Sequence, residues 1–360
     1  MPDTFVLSEE LGPVLAKYLQ QRAPVEQNRD LGPGLPSLWA GLVEEVGAVG
    51  LLVPEDLGGQ GAGLLELGAA VRETGRAGWS GPLVATAGAA VSLLSAVDPD
   101  DASGLRAAIA AGRVVVPAFT EDLRGASLAT TVRWEDGALT GRRTFVDSGA
   151  HAREFLVPAL AGDELVLVAV EAGVAGAVVT PATAVDPGRG TALLELSGAA
   201  GRVVARGTAV AAGLAEAWSV GAVLVATDAV GAAESAFDLA REYTATREQF
   251  GRPIGSFQAV KHKIVEMYAE LELARSAVRD ALRATQERRP GWEVAAAAAK
   301  SVAADGAMHV LREAIQVHGG IGFTWEHQVT HHFRRVMACR AMYGTPQAHR
   351  RTVAIARGLA

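Results

Sequence analysis

Three short runs in this 360-residue chain carry side chains able to grip a polar, anionic ligand. Arg247-Glu-Gln-Phe-Gly251 closes a long helical pattern with a guanidinium and a permissive glycine. The planar fork can hold two phosphate oxygens at once, which a lysine ammonium cannot, although it can also satisfy the last carbonyls of its own helix. Gln316, followed by His318-Gly319-Gly320-Ile321-Gly322, places an amide donor and acceptor at a helix end, beside glycines that permit close backbone approach. A simple C-cap needs one glycine rather than three. Near the end of the chain, Tyr343-Gly344-Thr345-Pro346-Gln347 offers a phenol, a hydroxyl and an amide, and Thr345 reads equally as the N-cap of a last helix. Carboxylates suited to proton abstraction are sparse on the helix before Arg247. Glu216 and Asp228 are candidates, and each also reads as an ordinary polar position. His327, His331 and His332 lack the carboxylate or cysteine spacing of a metal site, and no metal is expected.

The elements that must position these groups follow from hydrophobic period. Residues 8–112 read as helical, with stripes such as Leu38, Leu42 and Val46. The run from Glu45 to Gly61 reads as a helix end and a glycine-rich structural turn; it lacks the preceding strand and the spacing of a dinucleotide fingerprint. Between 113 and 205 the period falls to two, over Val114 to Thr120, Thr130 to Trp134, Leu139 to Val146, Phe155 to Ala159, Leu165 to Val170 and Val178 to Thr180. Asp136-Gly137 predicts a hairpin there, and short strands with glycine turns predict a small barrel or sandwich. From 206 onward helices return. Leu214, Trp218, Val225, Ala229, Ala232, Ala236 and Tyr243 mark one stripe, and Phe257, Val260, Ile264, Met267, Leu271, Ala274 and Val278 another. With Trp292 to Val317, Thr324 to Cys339 and Gln347 to Ile355 they predict a bundle of four or five helices. The expected domains are therefore helical (1–112), β (113–205) and helical again (206–360).

A net charge of -7 argues against general affinity for nucleic acid or anionic membranes. With 49% hydrophobic and 20% charged residues the chain reads as globular and soluble, and its apolar runs read as too interrupted to span a membrane. No signal-peptide pattern opens it, so a cytoplasmic location is expected. The single cysteine, Cys339, excludes an intramolecular disulfide.

The run Arg241 to Lys263 together with Gln316 to Thr324 resembles the C-terminal domain of the acyl-CoA dehydrogenases. Val53-Pro54-Glu55 with Gly58-Gly59-Gln60-Gly61 is similar to that family's N-terminal signature. Val116 to Asp122 and Leu139 to Phe145 are similar to two of its barrel segments. The resemblance implies a mainly α fold with a central β-barrel between a helical N-terminal domain and a C-terminal helix bundle. It also implies FAD, oxidation of an acyl-CoA thioester to its α,β-enoyl form, and an electron-transfer acceptor. It assigns Arg247, Gln249 and Phe250 to the flavin's pyrophosphate region across a subunit boundary, Gln316, Gly319 and Gly320 to its far end, and Thr345 and Gln347 to its phosphate or adenosine region. Where the family reads Tyr-Glu-Gly-Thr-x-Gln, this chain reads Met342-Tyr343-Gly344-Thr345-Pro346-Gln347, so the usual catalytic glutamate is replaced by Tyr343. Relatives with a relocated glutamate carry it at a place that aligns with Gly221.

A tyrosine, with an ordinary pKa of about 10, is a poor substitute base, and loss of a positioned base lowers rate by roughly 10²- to 10⁴-fold. The chain looks like the short subunits of actinobacterial steroid-catabolic enzymes of mixed α2β2 composition, in which a partner supplies the base. Two alternatives stand beside that reading: a self-sufficient homotetramer using Glu216, Asp228 or another carboxylate, and a structural partner that binds neither flavin nor substrate.

Overall fold

A computed structural model describes residues 4–23, 35–97, 102–119 and 130–359. Thr120, Glu121 and Asp122, at the end of the barrel run singled out above, lie outside the described residues. The N-terminal part packs α1 (Thr4–Arg22), α2 (Leu35–Glu44), α3 (Leu64–Arg76), a π-helical segment Val84–Ala90 running into α4 (Val91–Val97), and α5 (Ser103–Ala110). Between α2 and α3 the glycine-rich stretch is a pair of short 3₁₀ turns, as expected of a structural turn. A Cβ at Gly59 would overlap the Val53 carbonyl, so only glycine permits that backbone crossing.

One eight-stranded sheet follows. It comprises β1 (Val115–Pro117), β2 (Arg133–Glu135), β3 (Ala138–Val146), β4 (Glu154–Ala161), β5 (Glu164–Glu171), β6 (Ala177–Pro181), β7 (Ala192–Ala200) and β8 (Arg202–Arg206). Its order is β6-β7-β3-β2-β4-β5-β8, with β1 beside β4. The hairpin at Asp136-Gly137 forms as the sequence predicts: Glu135 pairs with Ala138, and both turn residues take positive φ. Strands β7 and β8 were not anticipated. Ala192–Ala200 mixes alanine, serine and glycine with few β-branched residues, and it is held as a strand by pairing with β3 and β6 on either side.

The remainder is α6 (Thr208–Thr246), a short hairpin of β9 (Glu248–Gln249) and β10 (Arg252–Pro253), α7 (Gln258–Gln286), α8 (Trp292–His318), α9 (Gln328–Ala341) and α10 (Pro346–Ala356). Helix α6 is the axis of the molecule. By length and composition it could cross a membrane, contrary to the reading that no run suffices, but 67% of its most apolar window is buried inside the protein. It is apolar because it is enclosed. Glu234, buried on α6, accepts hydrogen bonds from Arg72 and Arg76 of α3 and from Arg275 of α7, tying three helices through one carboxylate.

Candidate functional site

The first two polar runs come together at one end of the bundle because α6 and α8 point the same way. Tyr243, one turn before Arg247, stacks on His318 with ring centroids 4.6 Å apart, and His318 in turn meets His327 at 4.6 Å. This column sets the α6 terminus beside the α8 terminus. His327 is also the N-cap of α9, its Nδ1 accepting from the Val329 amide at 3.3 Å, and His331 contacts the Gly78 carbonyl at 2.9 Å. These histidines are structural, and among the described residues no group of side chains forms a metal site.

Beyond Tyr243 the chain leaves the helix at Arg247 and turns through Phe250 (φ 53°) and Gly251 (φ 78°). Phe250 is 92% exposed. Arg247, Gln249, Gln316, Gly319 and Gly320 are exposed as well. Among the described residues no ion pair or side-chain hydrogen bond engages the Arg247 guanidinium or the Gln316 amide. Additional Cβ atoms at Gly319 and Gly320 would meet open space. An uncommitted guanidinium and amide beside bare glycine backbone form a donor set suited to phosphate oxygens.

The third run lies elsewhere. Tyr343 sits against α6 at Gly221, where an added Cβ would overlap the tyrosine ring. Gly221 and Arg247 are separated by roughly 26 positions, or about 39 Å of helix. Thr345 caps α10, its hydroxyl accepting from Ala348 N at 3.3 Å, and Gln347 is exposed on the first turn of that helix. Hence the Arg247–Gln316 cluster and the Tyr343–Gln347 loop are well separated along the bundle.

Tyr343 is buried and forms an aromatic cluster with Phe119 and Trp218, at centroid separations of 6.0 Å (Phe119) and 5.6 Å (Trp218). Its hydroxyl donates to Asp147 Oδ2 at 3.3 Å, and Ser148 Oγ donates to Asp147 Oδ1 at 3.1 Å. Burial raises the Asp147 carboxyl above the usual carboxylate range, with Arg189 and the two hydroxyls pulling it back. Burial, and then the adjacent carboxylate, hold the Tyr343 phenol well above its ordinary value, so it is a neutral donor. Its carbonyl contacts His349 Nε2 at 2.7 Å, and burial pushes His349 down to about 4, so the neutral ring donates. Asp147 was not singled out from sequence. The alternation of β3 breaks near Phe145 (φ 53°), which swings out to 49% exposure and turns Val146 and Asp147 inward.

Neither candidate carboxylate lines the small pocket around Tyr343, Asp147 and Trp218. Asp228 lies on the same stripe of α6 as Gly221, two turns further along. It is fully buried, with Oδ1 accepting from Arg335 Nε at 2.7 Å and Oδ2 from Arg189. Ser80 and Asp186 complete this network, Ser80 Oγ donating to Asp186 at 3.1 Å, so that it joins all three parts of the chain. A carboxylate with both oxygens engaged by buried arginines is a structural counter-ion, and reaching it would require unpacking those parts. Glu216 turns away from the pocket and pairs with Arg288 at the far end of α7.

Comparison with known proteins agrees with this architecture. Residues 206–358 match the acyl-CoA dehydrogenase C-terminal domain, and residues 7–97 match the N-terminal domain of the same enzymes. The chain is 33% identical over 311 residues to the acyl-CoA dehydrogenase IpdE2 of Mycobacterium tuberculosis, spanning 86% of this chain and 83% of that protein. Among solved structures it is similar to the ChsE4-ChsE5 complex from Mycobacterium tuberculosis (27% identity, TM-score 0.85, 98% of each chain). It is similar also to the Tcur3481-Tcur3483 steroid ACAD (25% identity, TM-score 0.87, 99% of each chain). The fold of helical N-terminal part, central sheet and C-terminal bundle is thus shared over nearly the whole length, and the chain belongs to the acyl-CoA dehydrogenase family.

Proposed function

We propose that this chain is one subunit of a mixed FAD-dependent acyl-CoA dehydrogenase, in which its Arg247–Gln316 end completes a flavin site shared with a partner subunit that supplies the catalytic base. The observation that carries this reading is the separation of the two polar clusters. The loop at Tyr343 packs against α6 at Gly221, about 39 Å along that helix from Arg247, so each cluster can serve a single flavin only together with groups from another chain. FAD is the cofactor of this enzyme class, and when bound it takes the hydride from the acyl β-carbon. This chain's contribution would be to bind and orient it: Arg247 would hold the pyrophosphate with Gln249 and Phe250 beside it, and Gln316, Gly319 and Gly320 would receive the far end. Thr345 and Gln347 would touch the phosphate or adenosine region of the flavin held at this chain's other end.

The base comes from elsewhere because Tyr343 is a neutral phenol, Gly221 has no side chain, and Glu216 and Asp228 are engaged by arginines. The relatives include a two-component complex and a steroid acyl-CoA dehydrogenase, which supports a mixed assembly and a bulky, steroid-derived CoA thioester as substrate. On the same reading the assembly is α2β2 and cytoplasmic, with an electron-transfer acceptor. Native mass spectrometry of the tagged chain purified from its own cytosol tests this. A mixed tetramer with fewer flavins than subunits is the expected result. A homotetramer with one FAD per chain would refute it and point to Asp147, the buried carboxylate nearest the reaction pocket. A complex with no flavin at any interface of this chain would make it a structural partner.

A further inference from the structure

Resting on the assembly reading above, we propose that Tyr343 is a plug: its ring fills the pocket in which this family holds the reacting acyl carbons, so this chain's own half-site admits no acyl thioester and the reacting acyl group is held by the partner.

Two features locate the pocket. The usual base position falls on Tyr343 by its place before Gly344-Thr345, and the relocated base position falls on Gly221. The fold brings these two positions into direct contact. A side chain at either would project into the same space, and the tyrosine ring occupies it. Around the ring stand Pro117, Phe119, Trp218 and Met342, and the cavity that remains measures about 30 Å³. That is room for a water molecule or so, whereas sites for small organic ligands run to about 300–1,000 Å³.

The ring is held in place from several directions. Tyr343 has φ 51°, a left-handed backbone uncommon for an aromatic residue, and such conformations persist only where the surroundings over-determine them. Here His349 fixes its carbonyl, Asp147 latches its hydroxyl, and the missing Cβ of Gly221 makes the space. Lys300 binds the carbonyls of Cys339 and Arg340 just upstream, at 2.6 Å and 3.3 Å, which anchors the end of α9 from which the loop departs. Asp147 is engaged as the latch and is covered by the ring, so it too is shielded from any acyl α-carbon. An assembly made of this chain alone would therefore have every acyl pocket closed.

A CoA thioester carrying a diazirine on a short acyl chain, photolysed in the native FAD-loaded assembly and mapped by peptide mass spectrometry, tests the plug. Label is expected on the partner and none within residues 117–119, 145–147, 218–221 or 342–343 of this chain. Tyr343→Ala should bring label to those segments, whereas Tyr343→Phe, which keeps the ring, should not. Label at those segments in the FAD-loaded wild type overturns the proposal, as does an unlabelled Tyr343→Ala with native circular dichroism and subunit stoichiometry. The wild-type map decides the matter even where Tyr343→Ala fails to fold. An assembly lacking FAD, with no chain labelled, would instead overturn the assembly reading itself and the plug with it.

Discussion

Lys300 gives the sharpest quantitative prediction. Its ammonium group is fully buried on α8 and donates to two main-chain carbonyls at the end of α9, and burial pushes it down from about 10.5 to about 7. An amine whose folded pKa lies below its unfolded value binds more protons in the unfolded chain. Stability therefore rises with pH between about 7 and 10.5, and the penalty is greatest below pH 7. The full shift corresponds to about 5 kcal/mol, of which roughly 2 kcal/mol is recovered between pH 7 and pH 9. Lys300→Met removes the titration while keeping an unbranched side chain of similar volume. Denaturation of wild type and variant at fixed concentration, at pH 7 and pH 9, isolates the effect, since every other group titrates in both. An unfolding entropy of about 2.1 cal/mol/K per residue gives a thermal shift near 1.3 °C per kcal/mol for a chain of this length, so the wild type should gain about 3 °C on Lys300→Met over that interval. Parallel pH profiles would refute the argument. They would mean that Lys300 stays charged and that its two carbonyl hydrogen bonds offset the burial.

Three further outcomes follow from named contacts. Arg247→Lys keeps the charge but loses the fork, and should lower the flavin-to-protein absorbance ratio of the purified assembly without changing its subunit composition; unchanged flavin content would remove Arg247 from the site. Gly221→Ala drives a methyl into the Tyr343 ring and should destabilise by about 1–3 kcal/mol in chemical denaturation, with altered near-ultraviolet dichroism from the Phe119–Trp218–Tyr343 cluster. Asp228→Asn removes the nearer counter-ion of both Arg189 and Arg335, leaving them to Asp186 at 3.7 Å and 3.9 Å, and should destabilise by about 3 kcal/mol; a variant of wild-type stability that lost turnover alone would restore Asp228 as a base.

Much of this protein was legible in its sequence because local rules govern it. The long apolar stripes of α6 and α7, the turn at Asp136-Gly137, the Thr345 cap of α10 and the change of period near residue 113 each depend on a few neighbouring residues, and they yielded the helix, sheet, helix order. That Arg247 closes one helix and that Gln316 precedes a glycine turn at the end of another was legible because each pattern lies within a few residues; that the two ends meet was not. Strand β7 was not, since Ala192–Ala200 has weak β preference and is ordered by β3 and β6, and β8 was not because Val203-Val204 alone make too short a run.

The surroundings of Tyr343 depended on tertiary structure throughout. Sequence could show that a glutamate was missing at 343 and absent at 221, but not that these positions touch, because the contact joins residues more than a hundred positions apart on different elements. Nor could it show that Asp228 is neutralised by Arg189 and Arg335, or that Asp147 faces inward after an irregular strand end. Types and spacing within one element determined which groups this chain carries. Which of them meet, which are spent on one another and which remain free for a ligand was decided by packing between elements, where burial and long-range charge pairing outweigh local preference.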